Sequence, residues 1–151
     1  MIAKPTRKQR ELLESGRVAR MATVDATGKP HTVPICYVYV SGLIYTPIDI
    51  KPKSVPAYSL GRIKNICSNP FVSIVIDKYY EDWDRLYYVK ISGRASLLED
   101  SEEYDNSLMS LCEKYAQYGD MNLLSLALPV IRVMPLRIVS WGDVPSGSYG
   151  G

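Results

Sequence analysis

Lys51 and Lys53, held apart by Pro52, follow directly on the aromatic and β-branched stretch YTPIDI at residues 45–50. Proline fixes its own φ, so the two ammonium groups leave the strand on a stiffened spacing. At a junction from strand to helix, free backbone N–H groups and the positive end of the helix dipole add to lysine charge, which is an arrangement that binds phosphate. Arg62 is placed to join them. An exposed turn followed by a solvated helix face bearing Arg62 and Lys64 accounts for the same residues, so spacing alone leaves both readings open.

The other reactive side chains are few. His31 is the single histidine, and no Ser, Cys or second His stands near it in a recognisable catalytic arrangement, so a strand-face or structural role is expected. The glycine-rich phosphate loop, the Gly-x-Ser-x-Gly elbow and the His-Glu-x-x-His pair do not occur. Cys36, Cys67 and Cys112 are odd in number and far apart, unlike metal or redox motifs, and are expected to be reduced and mostly buried. A chain so short of acid and base groups suits chemistry that a bound cofactor performs.

These residues must be carried by a single domain spanning residues 1–151, whose 46% hydrophobic and 23% charged composition is that of a globular protein. Thr6 and Gln9 form a capping-box pattern ahead of Leu12 and Leu13, and Gly16 ends that first helix. RVARMATV (17–24) and HTVPICYVYV (31–40) read as strands joined by a Gly-containing hairpin loop, and Ser41-Gly42 turns into a third strand, LIYTPIDI (43–50). Ala57, Leu60, Ile63 and Cys67 recur at helical spacing behind Ser54 or Ser59 as N-cap. FVSIVIDKYY (71–80) and RLYYVKISGRASLL (85–98) flank the loop EDWD, with a bend or bulge expected at Gly93. Asp100 and Glu103 are expected to cap a third helix carrying Tyr104, Leu108, Leu111 and Tyr115. A last strand at about residues 130–141 admits Pro135 only at an edge or a bulge. Six strands with helices between them favour a mainly β fold, a small antiparallel barrel with peripheral helices, over a parallel sheet.

Charge is unevenly distributed although the net value is only +2. Residues 1–64 hold 11 Lys and Arg against 4 Asp and Glu, a balance of +7, whereas residues 65–151 hold 7 against 12, a balance of −5. This fits an anionic partner for the first half, or two surfaces of opposite field facing one another. No apolar segment is long enough to span a bilayer and no apolar stretch follows the basic N-terminus, so a cytoplasmic protein without membrane attachment is expected. A basic, tyrosine-rich barrel that binds single-stranded nucleic acid is the competitor from another class, and it predicts strongly salt-dependent oligonucleotide binding.

ATVDATGKPHTVPI, DIKPKS, LGRIKNICSNPFVSIVID and DWDRLYYVKISGRA, taken together, resemble the pyridoxamine 5'-phosphate oxidase-like, FMN-binding split-barrel family. The closest resemblance is to its probable coenzyme F-420-dependent (deazaflavin) oxidoreductases, and it is strongest over residues 17–99. The resemblance implies a six-stranded antiparallel split β-barrel that forms a homodimer, with FMN or coenzyme F-420 in clefts at the interface and redox transfer to a small-molecule substrate. It places Val33, Pro34 and Ile35 on one wall of the ring site, Thr46, Pro47 and Ile48 on the other, and Lys51, Lys53 and Arg62 on the phosphate. The substrate-phosphate signature of true pyridoxamine phosphate oxidases is missing, so oxidation of vitamin B6 is not the expected reaction. A flavin carrier or sensor without turnover is the alternative within the same fold.

On that reading Trp83 covers the neighbouring subunit's ring and Arg85 pairs across the interface, unless the tryptophan packs on its own barrel. Tyr87 and Tyr88 point to opposite faces of one strand, one toward the core and one outward. Trp141 reads as a core or lid residue or as a cofactor contact, and Lys4, Arg7, Lys8 and Arg10 as a solvated helix face or a site for a cofactor tail.

Overall fold

The computed structural model describes residues 1–48 and 59–145. Lys51 and Lys53, with Ser54 and Ala57, lie outside the described residues.

Helix α1, Arg7–Ser15, begins as its sequence dictates: the Thr6 hydroxyl accepts from the Gln9 N–H, and the Gln9 side chain accepts from the Thr6 N–H, a reciprocal capping box. Strands β1 (Ala19–Val24) and β2 (Pro30–Ile35) pair as the expected hairpin. The next segment departs from expectation. HTVPICYVYV is two strands, because the chain leaves β2 after Ile35 and resumes at β3 (Val38–Val40), which pairs with β4 (Leu43–Pro47). The described sheet therefore has seven strands instead of six, in the order β2-β1-β5-β6-β7-β4-β3, with antiparallel pairing throughout.

That order explains the barrel. β2 and β3 lie at the two ends of the order, yet only Cys36 and Tyr37 separate them along the chain. The three steps from Ile35 to Val38 span roughly 11 Å at most, so the sheet must curl until its first and last strands meet. Side-chain bonds hold the bend: Thr46 Oγ1 donates to the Cys36 carbonyl at 2.7 Å, and the Tyr37 N–H donates to Tyr115 Oη at 3.1 Å.

Helix α2, Gly61–Ser68, has Leu60 at its N-cap with no side-chain cap bond, where Ser54 or Ser59 was the expected cap. It buries Ile63, Asn65 and Ile66, and Cys67 falls just past that arc and is exposed. Cys36 and Cys112 are partly buried against the second apolar cluster, so the expectation of mostly buried thiols is corrected for Cys67.

β5 (Phe71–Lys78), β6 (Tyr87–Leu98) and β7 (Val130–Gly142) form the long central band. The expected bulge lies at Gly93: Ser92 pairs with Arg137 and Gly93 with Pro135, leaving Leu136 as the extra residue. A Cβ on Gly93 would come within 2.7 Å of Val133 Cγ1, so glycine is needed for the close approach. Pro135 is tolerated because it sits at this bulge, beyond the last pairing with β4, and its carbonyl accepts from the Ala3 N–H.

Helix α3, Glu102–Lys114, is capped by Ser101, whose hydroxyl accepts from the Tyr104 N–H; Asp100, the expected cap, stands one residue too early. A short α4 (Ala116–Asp120) and a 3-10 turn (Leu123–Ser125) follow, with Asn122 between them in the left-handed region. Two apolar clusters result. One fills the barrel with Leu13, Met21, Ile74, Ile91 and Ile131, and the other packs Leu108 and Leu111 of α3 on Leu43, Tyr45 and Val130. β4 lies between them and is buried along its whole length, which is why LIYTP shows no alternation of apolar and charged residues.

Candidate functional site

The site begins at the seam where the two ends of the sheet meet. Val33 is half-buried, Pro34 exposed and Ile35 buried on β2, while Thr46 and Pro47 at the end of β4 and Ile48 beyond it are buried. The Thr46 to Cys36 hydrogen bond joins the end of β4 to the residue that follows Ile35. The two expected walls, 33–35 and 46–48, thus converge, although they belong to opposite ends of the strand order. β2 pairs only with β1, so the backbone groups along its other edge have no strand partner among the described residues.

At the far end of the same strand, His31 is exposed on β2, and its imidazole lies beside Gly61 at the start of α2. A Cβ on Gly61 would stand 3.7 Å from His31 Nε2, ordinary van der Waals contact. The start of α2 presents backbone N–H groups that no cap side chain satisfies, and half-buried Arg62 is its second residue. Sequence spacing singled out Arg62 but did not bring His31 to the same place. Only the β1–β2 register and the packing of α2 on β1, through Asn65 Nδ2 donating to Thr23 Oγ1 at 2.9 Å, do that.

From His31 to Ile35 the strand runs four residues, about 13 Å at the usual rise. An open backbone edge thus connects an electropositive end, formed by α2 and Arg62, to the seam at Thr46. The arrangement offers backbone donors and acceptors at the seam to a planar ring and a cationic end to a phosphate.

Trp83 and Arg85 sit in a 3-10 turn between β5 and β6 (Trp83–Arg85). Trp83 is 70% exposed, so its own barrel does not cover it. The Arg85 guanidinium lies 3.9 Å from the centroid of the Tyr80 ring. Trp141 is 54% exposed, which corrects the reading of it as a core residue; it stacks on Tyr88 across the β6–β7 pair with centroids 6.0 Å apart. Tyr87 packs against the core while Tyr88 faces outward, as strand alternation requires.

The match to family models identifies the class. Residues 5–142 match the model for pyridoxamine 5'-phosphate oxidase, and the chain belongs to that family. Its fold is that of several solved structures. A conserved hypothetical protein from Mycobacterium tuberculosis superposes with a TM-score of 0.75 at 21% identity, over 99% of this chain and 94% of that one. The heme storage protein HutZ of Vibrio cholerae gives 0.70 at 19%, over 88% and 90%. An FAD-binding protein of Mesorhizobium loti gives 0.66 at 21%, over 87% of each chain. No curated protein matches the sequence. Among the described residues, no helix is long and apolar enough to cross a membrane.

Proposed function

We propose that the protein is a flavin- or deazaflavin-dependent oxidoreductase that binds FMN or coenzyme F-420 along the open edge of β2 and serves a small-molecule substrate. The observation that carries this reading is the convergence of Thr46 with the end of β2 while Arg62 and the uncapped start of α2 meet its other end. Family membership supports a flavin-type cofactor. Val33, Pro34 and Ile35, with Thr46, Pro47 and Ile48, orient the ring through backbone contacts and shield it from water. Arg62, with Lys51 and Lys53, holds the phosphate. The bound ring supplies the redox chemistry, and the chain supplies binding, orientation and exclusion of solvent.

The functional unit in this reading is a homodimer. Trp83, Tyr79, Tyr88 and Trp141 are all exposed, and aromatic side chains left in water by a single chain are those that protein interfaces favour. Trp83 and Arg85 then contribute to the partner's ring site, and the dimer functions in the cytoplasm.

The test is parallel titration with FMN and with the deazaflavin at fixed salt. A clear preference near one molecule per chain sets the cofactor. Lys51→Glu, Lys53→Glu or Arg62→Glu is expected to weaken binding about tenfold to a hundredfold, the loss of a hydrogen bond to a charged group. Unchanged affinity in all three removes the phosphate assignment. Binding without reduction of any acceptor replaces the oxidoreductase by a flavin carrier, and salt-dependent oligonucleotide binding without cofactor uptake replaces both.

Heme binding is a second reading, raised by the Vibrio cholerae neighbour and by an exposed imidazole at His31. It predicts a Soret band on addition of hemin that is lost in His31→Ala; the flavin reading predicts that His31→Ala at most weakens phosphate binding.

A further inference from the structure

A cavity of about 480 Å³ opens between the end of α1 and the β5–β6 connection. Its size lies within the range of small-molecule sites, about 300–1,000 Å³. Leu12, Val18, Ile76 and Val144 give it apolar walls, with the rings of Tyr80 and Tyr87. Its charged lining is mostly cationic. Lys8, Lys78 and Arg85 face it and make no ion pair among the described residues, while one of its two carboxylates, Asp77, is already held by Arg20 at 2.7 Å. Lys78 Nζ and the Arg85 guanidinium lie 5.1 and 3.9 Å from the Tyr80 ring centroid, so both charges converge on one aromatic surface.

A buried polar group underlies the same cavity. The Tyr37 side chain is buried and its hydroxyl has no hydrogen-bond partner among the described residues. It approaches the lining closely at Gly16, where an added Cβ would stand 2.6 Å from Tyr37 Oη. A side chain at position 16 would fill this approach, and glycine leaves it open. A buried hydroxyl without a partner is unfavourable, and a polar ligand atom reaching the floor would relieve it.

We propose that this cavity is a second ligand site, separate from the β2 seam, that takes a small aromatic molecule bearing one anionic group. The apolar walls and Tyr80 receive the ring system, and Lys8, Lys78 and Arg85 receive the charge. The flavin reading shares only Arg85 with this site, at the partner's ring; Lys8, Lys78 and Tyr80 have no part in that reading.

The probe is 8-anilinonaphthalene-1-sulfonate, an aromatic monoanion, titrated by fluorescence into the full-length protein with and without saturating FMN. Uptake near one molecule per chain is expected in both conditions, and the neutral analogue N-phenyl-1-naphthylamine should bind at least about tenfold more weakly. Lys8→Gln combined with Lys78→Gln should lower affinity for the anion by a similar factor and leave the neutral probe unaffected, and Val18→Trp should exclude both by filling the cavity. Melting curves check that these variants fold, and Lys8→Gln alone, on the surface of α1, provides a mild variant. Displacement by FMN would make the cavity part of the flavin site and overturn the proposal. So would equal affinity for the two probes, or anion binding unchanged in the lysine and tryptophan variants.

Discussion

The seam and the outer face of β5–β7 use polar and apolar groups in opposite ways. At the seam, buried polar atoms other than the Tyr37 hydroxyl are paired: Thr46 with the Cys36 carbonyl, and Tyr115 Oη, which accepts from the Tyr37 N–H and lies within donating distance of the Arg17 and Tyr37 carbonyls. Around β5–β7, large apolar groups remain in water, with Trp83 70%, Tyr79 63%, Phe71 55% and Trp141 54% exposed. A paired group inside the barrel stabilises this chain, and its loss is felt in folding. An uncovered aromatic ring contributes little to its own fold, so its role is sought in contact with another molecule.

The difference can be tested from the inside outward. Ile131→Ala removes a fully buried side chain from the barrel and should destabilise by about 2–5 kcal/mol, read from urea unfolding. Tyr115→Phe deletes the hydroxyl that receives the Tyr37 N–H and leaves that donor buried, for a loss of about 1–3 kcal/mol. If it melts like wild type, the bend between β2 and β3 is held by packing alone.

Lys114 gives the comparison a pH dependence. Its Nζ donates to the Gly16 carbonyl and lies over the Tyr37 ring. Burial, with Arg17 nearby, draws its pKa from 10.5 to about 8. Between those values the unfolded chain binds a proton that the folded chain has released, so stability rises with pH through that window. Burial pushes Tyr45 and Tyr115 up from 10.0 to about 12, the nearby Glu103 adding to the shift at Tyr45. Above pH 10 unfolded tyrosines therefore ionise first and stability falls. The expected profile rises from pH 8 to 10 and then declines, and Lys114→Met should remove the rise but retain the decline. A rise that persists in Lys114→Met assigns it to another group.

The smallest effect on folding belongs to the outer face. Trp83→Ala should leave far-ultraviolet dichroism unchanged and move the intrinsic stability of the chain by no more than about 0.5 kcal/mol. In the proposed dimer the same change should weaken self-association, measured by sedimentation across a concentration series. Unaltered self-association would return Trp83 to the status of a surface residue.

Much of this architecture is legible residue by residue. Thr6 and Gln9 announce α1 because a capping box is local, and Gly93 marks the bulge because only a residue without Cβ admits Val133 so closely. Ser101 was passed over for Asp100 because both fit a local cap, and α3 starts one residue later than the Asp100 pattern implies. The split of HTVPICYVYV was not legible. Its alternation continues across Cys36 and Tyr37, and the break depends on Thr46 and Tyr115, distant in sequence. The cationic cavity escaped for the same reason, since Lys8, Lys78 and Arg85 belong to separate elements.

By itself, then, the sequence determines the mainly β character and most of the strands and helices, because capping, alternation and glycine placement act over a few residues. The tertiary structure decides that β2 and β3 are separate strands at the two ends of one curled sheet, that His31 meets the start of α2, and which aromatics are left in water. Those outcomes depend on contacts between residues far apart in the chain, where the free energy of closing the barrel outweighs any local preference.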